Sequence, residues 1–374
     1  MKKLSALLLS TSLVMLAFTA VTLESPYTFT TIKNNAAGIT EDQCATGTCW
    51  SFATISFLES EIIRKGGKAV DLSEMYNVRV NYTRKVDSYV RYQGKQQFGP
   101  GGLSHDAVYV MKHNGLVPES AYTGFLTGQK EYDHSALDGL MESAVKTVID
   151  KKLNEHSNDW KVGIEGMLDA SIGKAPAEFE YEGKKYTPAT FRDAMKLNAD
   201  DYVSITSFTH HPFYSQFVLE VPDNWAKGSF YNVTMEDMQN ILDNAIDNGY
   251  TVAWDADVSE KGFSFKEGVA ILPADEVKKE DMWKSIVAEK PVTQATRQEG
   301  FDQFRTTDDH LMHITGKAKD QNGSIYYMTK NSWGTENLFG GFQYVSKNYF
   351  QMKTISIMVH KDAVPGELKK KIGL

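Results

Sequence analysis

Three residue types far apart in this chain could together perform nucleophilic chemistry: a cysteine, a histidine and an asparagine. A thiol attacks a carbonyl efficiently when a base takes its proton and a third group orients that base. The chain has two cysteines, Cys44 and Cys49, both within EDQCATGTCWSF (41–52). A disulfide between them would close a short, strained loop. Two cysteines cannot complete a structural zinc site alone. His113, His134 and His156 are scattered, and the adjacent His210 and His211 are not expected to share a face. The reading is therefore of no metal and no cofactor, with Cys49 as either nucleophile or inert core thiol.

The elements that must position these groups can be read locally. WSFATISFLESEIIRK (50–65) lacks Pro and Gly, ends in Arg64-Lys65 and runs into Gly66-Gly67, which are helix-end signals. Thr46 and Thr48 are N-cap candidates. Cys49 then sits at a helix N-terminus, where the macrodipole favours a thiolate. Apolar residues on most sides predict a central helix. Much later, HLMHITGKA and SIYYMTKNSW are rich in strand formers and flank KDQNGS, where Asn322-Gly323 signals a hairpin. A turn at Asn322-Gly323 sets His310 opposite Thr335, and Asn331 opposite Ile314. A turn one residue earlier sets His310 opposite Trp333. Both registers leave His310 and Asn331 at the open end, and Cys49, His310 and Asn331 can supply the three roles if the fold brings the start of the Cys49 helix to that end.

Taken together, these segments resemble the papain-like cysteine peptidases. Gln43, six residues before Cys49, matches the oxyanion-hole glutamine of that family. Asp309-His310 matches its catalytic histidine, with Gly316 following, and Asn331-Ser332-Trp333-Gly334 its orienting asparagine and shielding tryptophan. FGPGG (98–102) resembles the glycine pair that hydrogen-bonds substrate backbone, and DLSE (71–74) the segment after the helix. His313 falls where the family carries a small apolar residue, so it reads as structural. The resemblance implies an α+β, two-lobed papain-like fold: a helical lobe carrying Cys49 and a β-barrel-like lobe carrying His310 and Asn331. It implies Cys49, His310, Asn331 and Gln43 as catalytic residues, and Gly101, Gly102 and Trp333 on the substrate side.

Three departures point to the bleomycin hydrolase, or aminopeptidase C, branch. Cys49 and His310 are 261 residues apart, against roughly 130–150 in papain-type enzymes, so a large, mostly helical insertion is expected at about 125–245. The family's usual disulfide cysteines are missing. Too few residues precede Gln43 for an inhibitory propeptide. In that branch a C-terminal carboxylate meets the substrate's α-amine, which adds Leu374 to the substrate-binding residues. The implied activity is peptide hydrolysis through a thioester, trimming from the N-terminus. The alternatives are an endopeptidase of the same fold or a catalytically silent papain-fold binding protein.

Composition limits the partners. A net charge of −8 argues against nucleic acid; peptides are the substrates the resemblance implies, with a homo-oligomer left open. Lys2, Lys3, the apolar run Leu4–Phe18 and the small Ala17, Thr19 and Ala20 read as a signal peptide over 1–20. A peptidase domain over 21–365 and a tail over 366–374 follow. No other window approaches the roughly 18 apolar residues of a membrane span. The expected location is therefore periplasmic or secreted, without an integral membrane segment.

Overall fold

The computed structural model describes residues 25–126, 128–155 and 157–374, so the expected signal peptide lies outside the described residues. The helix Cys49–Arg64 starts with the cysteine itself, and Cys49 through Ile62 are all buried. Thr48 holds the N-cap position, but its hydroxyl pairs with Thr46 Oγ1 at 2.6 Å, and Thr46 Oγ1 also reaches Gln43 O at 2.8 Å. The two threonines therefore tie the 43–48 loop together and leave the helix start uncapped by side chains. Around this helix pack Glu74–Arg91, capped by Ser73 accepting from Tyr76 N–H, and Ser104–His113.

The second lobe is one large sheet. Its strands run in the order Gln216–Val218, Ser229–Asn232, Tyr202–Thr206, Thr354–His360, Val252–Ala256, His310–Asp320, Ile325–Lys330, Phe342–Ser346, Val269–Ala270 and Phe263–Ser264. Phe29–Asn34 pairs with the far half of the His310 strand. Among the described residues the two outermost strands do not pair, so the sheet does not close. Trp254, Met312, Ile314, Tyr327 and Val345 pack against the helix Met235–Asp247. The short terminal helix Gly366–Ile372 adds Leu368 and Ile372 to the same core.

The stretch expected as an insertion divides between the lobes. Helices Ser135–Asp150 and Trp160–Ile172 set Leu137, Met141, Val145 and Leu168 against Tyr82 and Val86 of the helical lobe. From Tyr202 onward the chain turns to strand and extends the large sheet.

The hairpin carrying the histidine has a bulge that the turn signal does not announce. Near the turn Lys319 faces Ile325 and Gly316 faces Met328, but beyond a shift at Thr315 the pairs are Ile314–Thr329 and His313–Lys330. Continued to its end, this second register places His310 opposite Trp333, as in the earlier-turn alternative. The bulge re-aims the strand next to the site.

Candidate active site

The loop 43–48, the head of the Cys49 helix and the open end of the hairpin meet at one place. Cys49 shares a core cluster with Leu311, the residue after His310. His310 Nε2–H donates to Asn331 Oδ1 at 2.7 Å. That bond fixes the tautomer, so Nδ1 is the basic nitrogen. Asn331 is itself held: its Oδ1 also accepts from Ser332 N–H at 2.8 Å, and its Nδ2 donates to Gln343 Oε1 at 2.9 Å. The Trp333 ring covers the imidazole, centroids 4.6 Å apart, and keeps water from the His–Asn bond. Sequence reasoning missed Gln343, a buried side chain one strand away from Asn331, whose pairing is purely tertiary.

Gln43 is oriented from both ends of its amide. Ser332 Oγ donates to its Oε1 at 2.7 Å, and one of its Nε2 hydrogens goes to Thr46 O at 2.8 Å. The second Nε2 hydrogen remains for a ligand. Cys49 N–H is a first-turn donor with no acceptor inside its own helix. These two donors are the groups the resemblance assigns to an oxyanion.

Burial dominates the charges here. It pushes the Cys49 thiol up to about 12, with Leu311 N–H opposing and Asp223, Asp308 and Asp255 adding to the rise. It pulls His310 down to about 4, against the bond to Asn331. A macrodipole contributes about 0.3–1 kcal/mol, less than the 1.36 kcal/mol of a single pKa unit. The thiolate expected from the helix start is therefore outweighed when each group is taken alone. Moving the proton from sulfur to Nδ1 creates both charges together, and their attraction offsets part of that cost.

Gly101 and Gly102 lie beside this centre in a loop held by two side chains. Trp50 Nε1–H donates to Pro100 O at 3.0 Å, and its ring lies 3.2 Å from where a Cβ on Gly102 would be. The buried Lys85 ammonium donates to Gly99 O at 2.8 Å, to Pro100 O at 3.0 Å and to Gly101 O. Burial lowers Lys85 to about 8, with Asp106 and Asp223 opposing. The sequence carries a weak signal for this role: Val78, Tyr82, Lys85 and Val86 share one helical face, so a lysine stands among apolar residues.

Other expected residues lie elsewhere. His313 is fully buried on the Cys49 helix, its Nδ1 2.8 Å from Ser56 Oγ, which fits a structural role. Cys44 is a partly exposed free thiol at φ 50° beside Asp42. Leu374 is not brought to this cluster. It ends the Gly366–Ile372 helix, which is anchored by Leu368 and Ile372 in the sheet-lobe core and by Lys369 to Asp362 at 2.9 Å.

His210 and His211 do share a face, contrary to the expectation for neighbours. Both Nε2 atoms meet the Glu220 carboxylate, at 3.1 and 2.7 Å. They lie in a turn, where strand alternation does not apply. Gln298 decides what this cluster can do. Its Oε1 accepts from Thr209 N–H, so its amide nitrogen faces His210 Nδ1 at 3.1 Å. In His210, Nδ1 is thus the acceptor, and Nε2 carries the proton toward Glu220.

Residues 19–373 match the Peptidase C1-like family. Aminopeptidase G of Lactobacillus delbrueckii subsp. lactis is 24% identical over 367 residues, with 86% of this chain and 80% of the relative covered. Aminopeptidase E of Lactobacillus helveticus is 24% identical over 373 residues, covering 88% and 82%. In structure, PepW from Lactobacillus rhamnosis HN001 superposes with a TM-score of 0.73 at 20% identity, over 93% of this chain and 85% of that one.

Proposed function

This chain belongs to the Peptidase C1-like family and is a cysteine-type peptidase, and from that premise we propose a thiol aminopeptidase that removes residues from the N-terminus of peptides. The observation that carries the chemistry is the 2.7 Å bond from His310 Nε2 to Asn331 at the head of the Cys49 helix. The direction of trimming is supported by two relatives that are themselves aminopeptidases.

In the first half-reaction Cys49 Sγ passes its proton to His310 Nδ1 and attacks the scissile carbonyl carbon. The oxygen gains the electron pair and accepts from Gln43 Nε2–H and Cys49 N–H. Collapse expels the amine, which takes the proton from Nδ1, and leaves a thioester on Cys49. In the second, a water gives a proton to Nδ1 and attacks the thioester. The released acid and the restored thiol complete the cycle. Each oxyanion donor in such sites is worth about 3–4 kcal/mol. The basic, apolar start of the chain, Lys2 to Ala20, supports export as the setting in which this activity works.

The test compares peptides with free and N-acetylated termini. The reading expects kcat/KM at least about tenfold higher for the free amine. Equal cleavage of both sets overturns it in favour of an endopeptidase, the reading that the remote Leu374 would favour if no other carboxylate took its place.

A further inference from the structure

An enzyme that trims from a free N-terminus needs an anion for the α-ammonium, and Leu374 does not supply one here. We propose that Asp223 is that anion: its carboxylate, set against Gly101 beside Cys49, binds the free α-ammonium of the peptide substrate. The inference rests on the aminopeptidase reading and names the residue that enforces it.

The placement is unusual enough to demand a reason. A Cβ on Gly101 would stand 1.9 Å from Asp223 Oδ2 and 2.6 Å from Oδ1, so only glycine admits the carboxylate there. The negative charge therefore lies on the glycine pair expected to carry substrate backbone. A longer chain running past that pair would have to displace an anion, whereas a terminal ammonium would meet it. Cys49 feels this charge: of the carboxylates that raise its thiol, Asp223 ranks ahead of Asp308 and Asp255.

The carboxylate is pre-set. Gln97 Nε2 donates to its Oδ1 at 2.9 Å, leaving Oδ2 as the oxygen nearest Gly101. The next residue, Asn224, closes the turn: its Nδ2 reaches Leu219 O and Gly228 O, and its Oδ1 accepts from Gly228 N–H. A rigid carboxylate loses little freedom on binding, which favours affinity.

Nearby charges offset it only in part. Lys85 faces Asp223 from the helix Glu74–Arg91 and its charge favours the carboxylate form, but its three hydrogens are engaged by the carbonyls of Gly99, Pro100 and Gly101, so it forms no direct pair with Asp223. Asp106, on the helix Ser104–His113, is engaged by Leu103 N–H and by Arg84. Asp308 and Asp255 lie beside Asp223, and burial raises the affinity of both for a proton. Asp255 is almost fully buried, yet its Oδ1 finds no hydrogen-bond donor. The wall beside the nucleophile thus carries more carboxylates than cations, which suits a small cation and repels a C-terminal carboxylate.

The experiment measures the ratio of kcat/KM for a free-amine peptide to that for its N-acetyl form, in the intact protein, in Asp223→Asn and in a variant lacking Gly373 and Leu374. Asparagine keeps the shape and the bond to Gln97. Asp223→Asn is expected to cut the ratio about tenfold or more, mainly by raising KM for the free amine. The truncated variant keeps the parental ratio. In the parent, KM for free-amine peptides rises as pH passes the α-amino range of about 7.7–8.0; in Asp223→Asn that rise disappears. No preference in the parent overturns the aminopeptidase reading itself. A parental preference that survives in Asp223→Asn overturns only the assignment of Asp223. Equal loss on both peptides also counts against it, because the blocked peptide makes no use of the carboxylate.

Discussion

The reacting end of the cleft and its glycine wall are built on opposite electrostatic plans. At the reacting end, burial opposes charge on both Cys49 and His310, and hydrogen-bond capacity is directed closely: His310 to Asn331, Asn331 to Gln343, Ser332 to Gln43. At the wall, Lys85, Asp106, Asp255 and Asp308 converge on Asp223 from separate stretches of chain. A desolvated, hydrogen-bonded site suits a reaction in which charge appears only as the bond breaks. A charged wall suits recognition of a group that arrives already charged. Chemistry and selectivity should therefore separate under mutation.

The largest effect tests the reacting end alone. Cys49→Ala should abolish hydrolysis of free and blocked peptides alike, while Cys44→Ser should keep most activity, because the hydrogen bonds of Cys44 go to Asp42 in its own loop and not to the reacting groups. Residual turnover by Cys49→Ala comparable to the parent breaks the assignment.

The next effect is graded. His310→Ala removes the proton carrier, a loss of about 10²–10⁴ in kcat. Asn331→Ala removes only alignment and the imidazolium's partner, so its loss should be smaller, with KM nearly unchanged. Matching kinetics for the two variants would mean that Asn331 does more than orient.

Lys85→Met sharpens the comparison from the wall side. Methionine keeps much of the stem's volume but abandons three carbonyls of residues 99–101. KM should rise about tenfold for free and blocked peptides together, because the loop that binds backbone loosens for both. Asp223→Asn should affect the free amine alone. If Lys85→Met instead lowers kcat without touching KM, the loop serves the reaction more than binding.

The same division explains what could be read from the chain. Cys49 and the His310–Asn331 pair ride on elements whose signals are local: an uninterrupted helix that ends at Gly66-Gly67 and two strand-like runs around Asn322-Gly323. Their spacing matches a known pattern, and their positions follow from it. The bulge at Thr315 was not legible, because it depends on how the hairpin also pairs with Val252–Ala256 on its other edge. Asp223 and Asp308 were not legible either. Each is an ordinary acidic residue in a polar stretch until the fold brings them beside Cys49. Leu374 was expected at the site from the resemblance, but Leu368 and Ile372 have apolar area to bury, and the sheet-lobe core takes it.

The smallest effect comes from pH, and its sign distinguishes the two ends. Burial raises Asp223 and, more strongly, the Asp255–Asp308 pair above the ordinary carboxylate range, with like charges adding to it. Such groups lose their charge early as pH falls, so the wall's attraction for an ammonium weakens while the pH is only mildly acidic. His310 is shifted the other way, down to about 4, so its proton-accepting form persists through that window. For a free-amine peptide, KM should rise several-fold between pH 7 and pH 5 while kcat stays nearly level, and in Asp223→Asn that rise should shrink. Stability follows the same signs. The raised carboxylates bind protons more tightly folded than unfolded, so their contribution is fully present below about pH 3.9 and is lost as pH rises through their folded values. His310 binds its proton more weakly when folded, so its contribution is present above about pH 6.5 and is lost as pH falls toward 4. Parallel steady-state and denaturant-unfolding measurements across pH 4–8 check both. A kcat that falls together with the rise in KM above pH 5 would mean that one titrating group serves both ends, and the separation between chemistry and recognition would not hold.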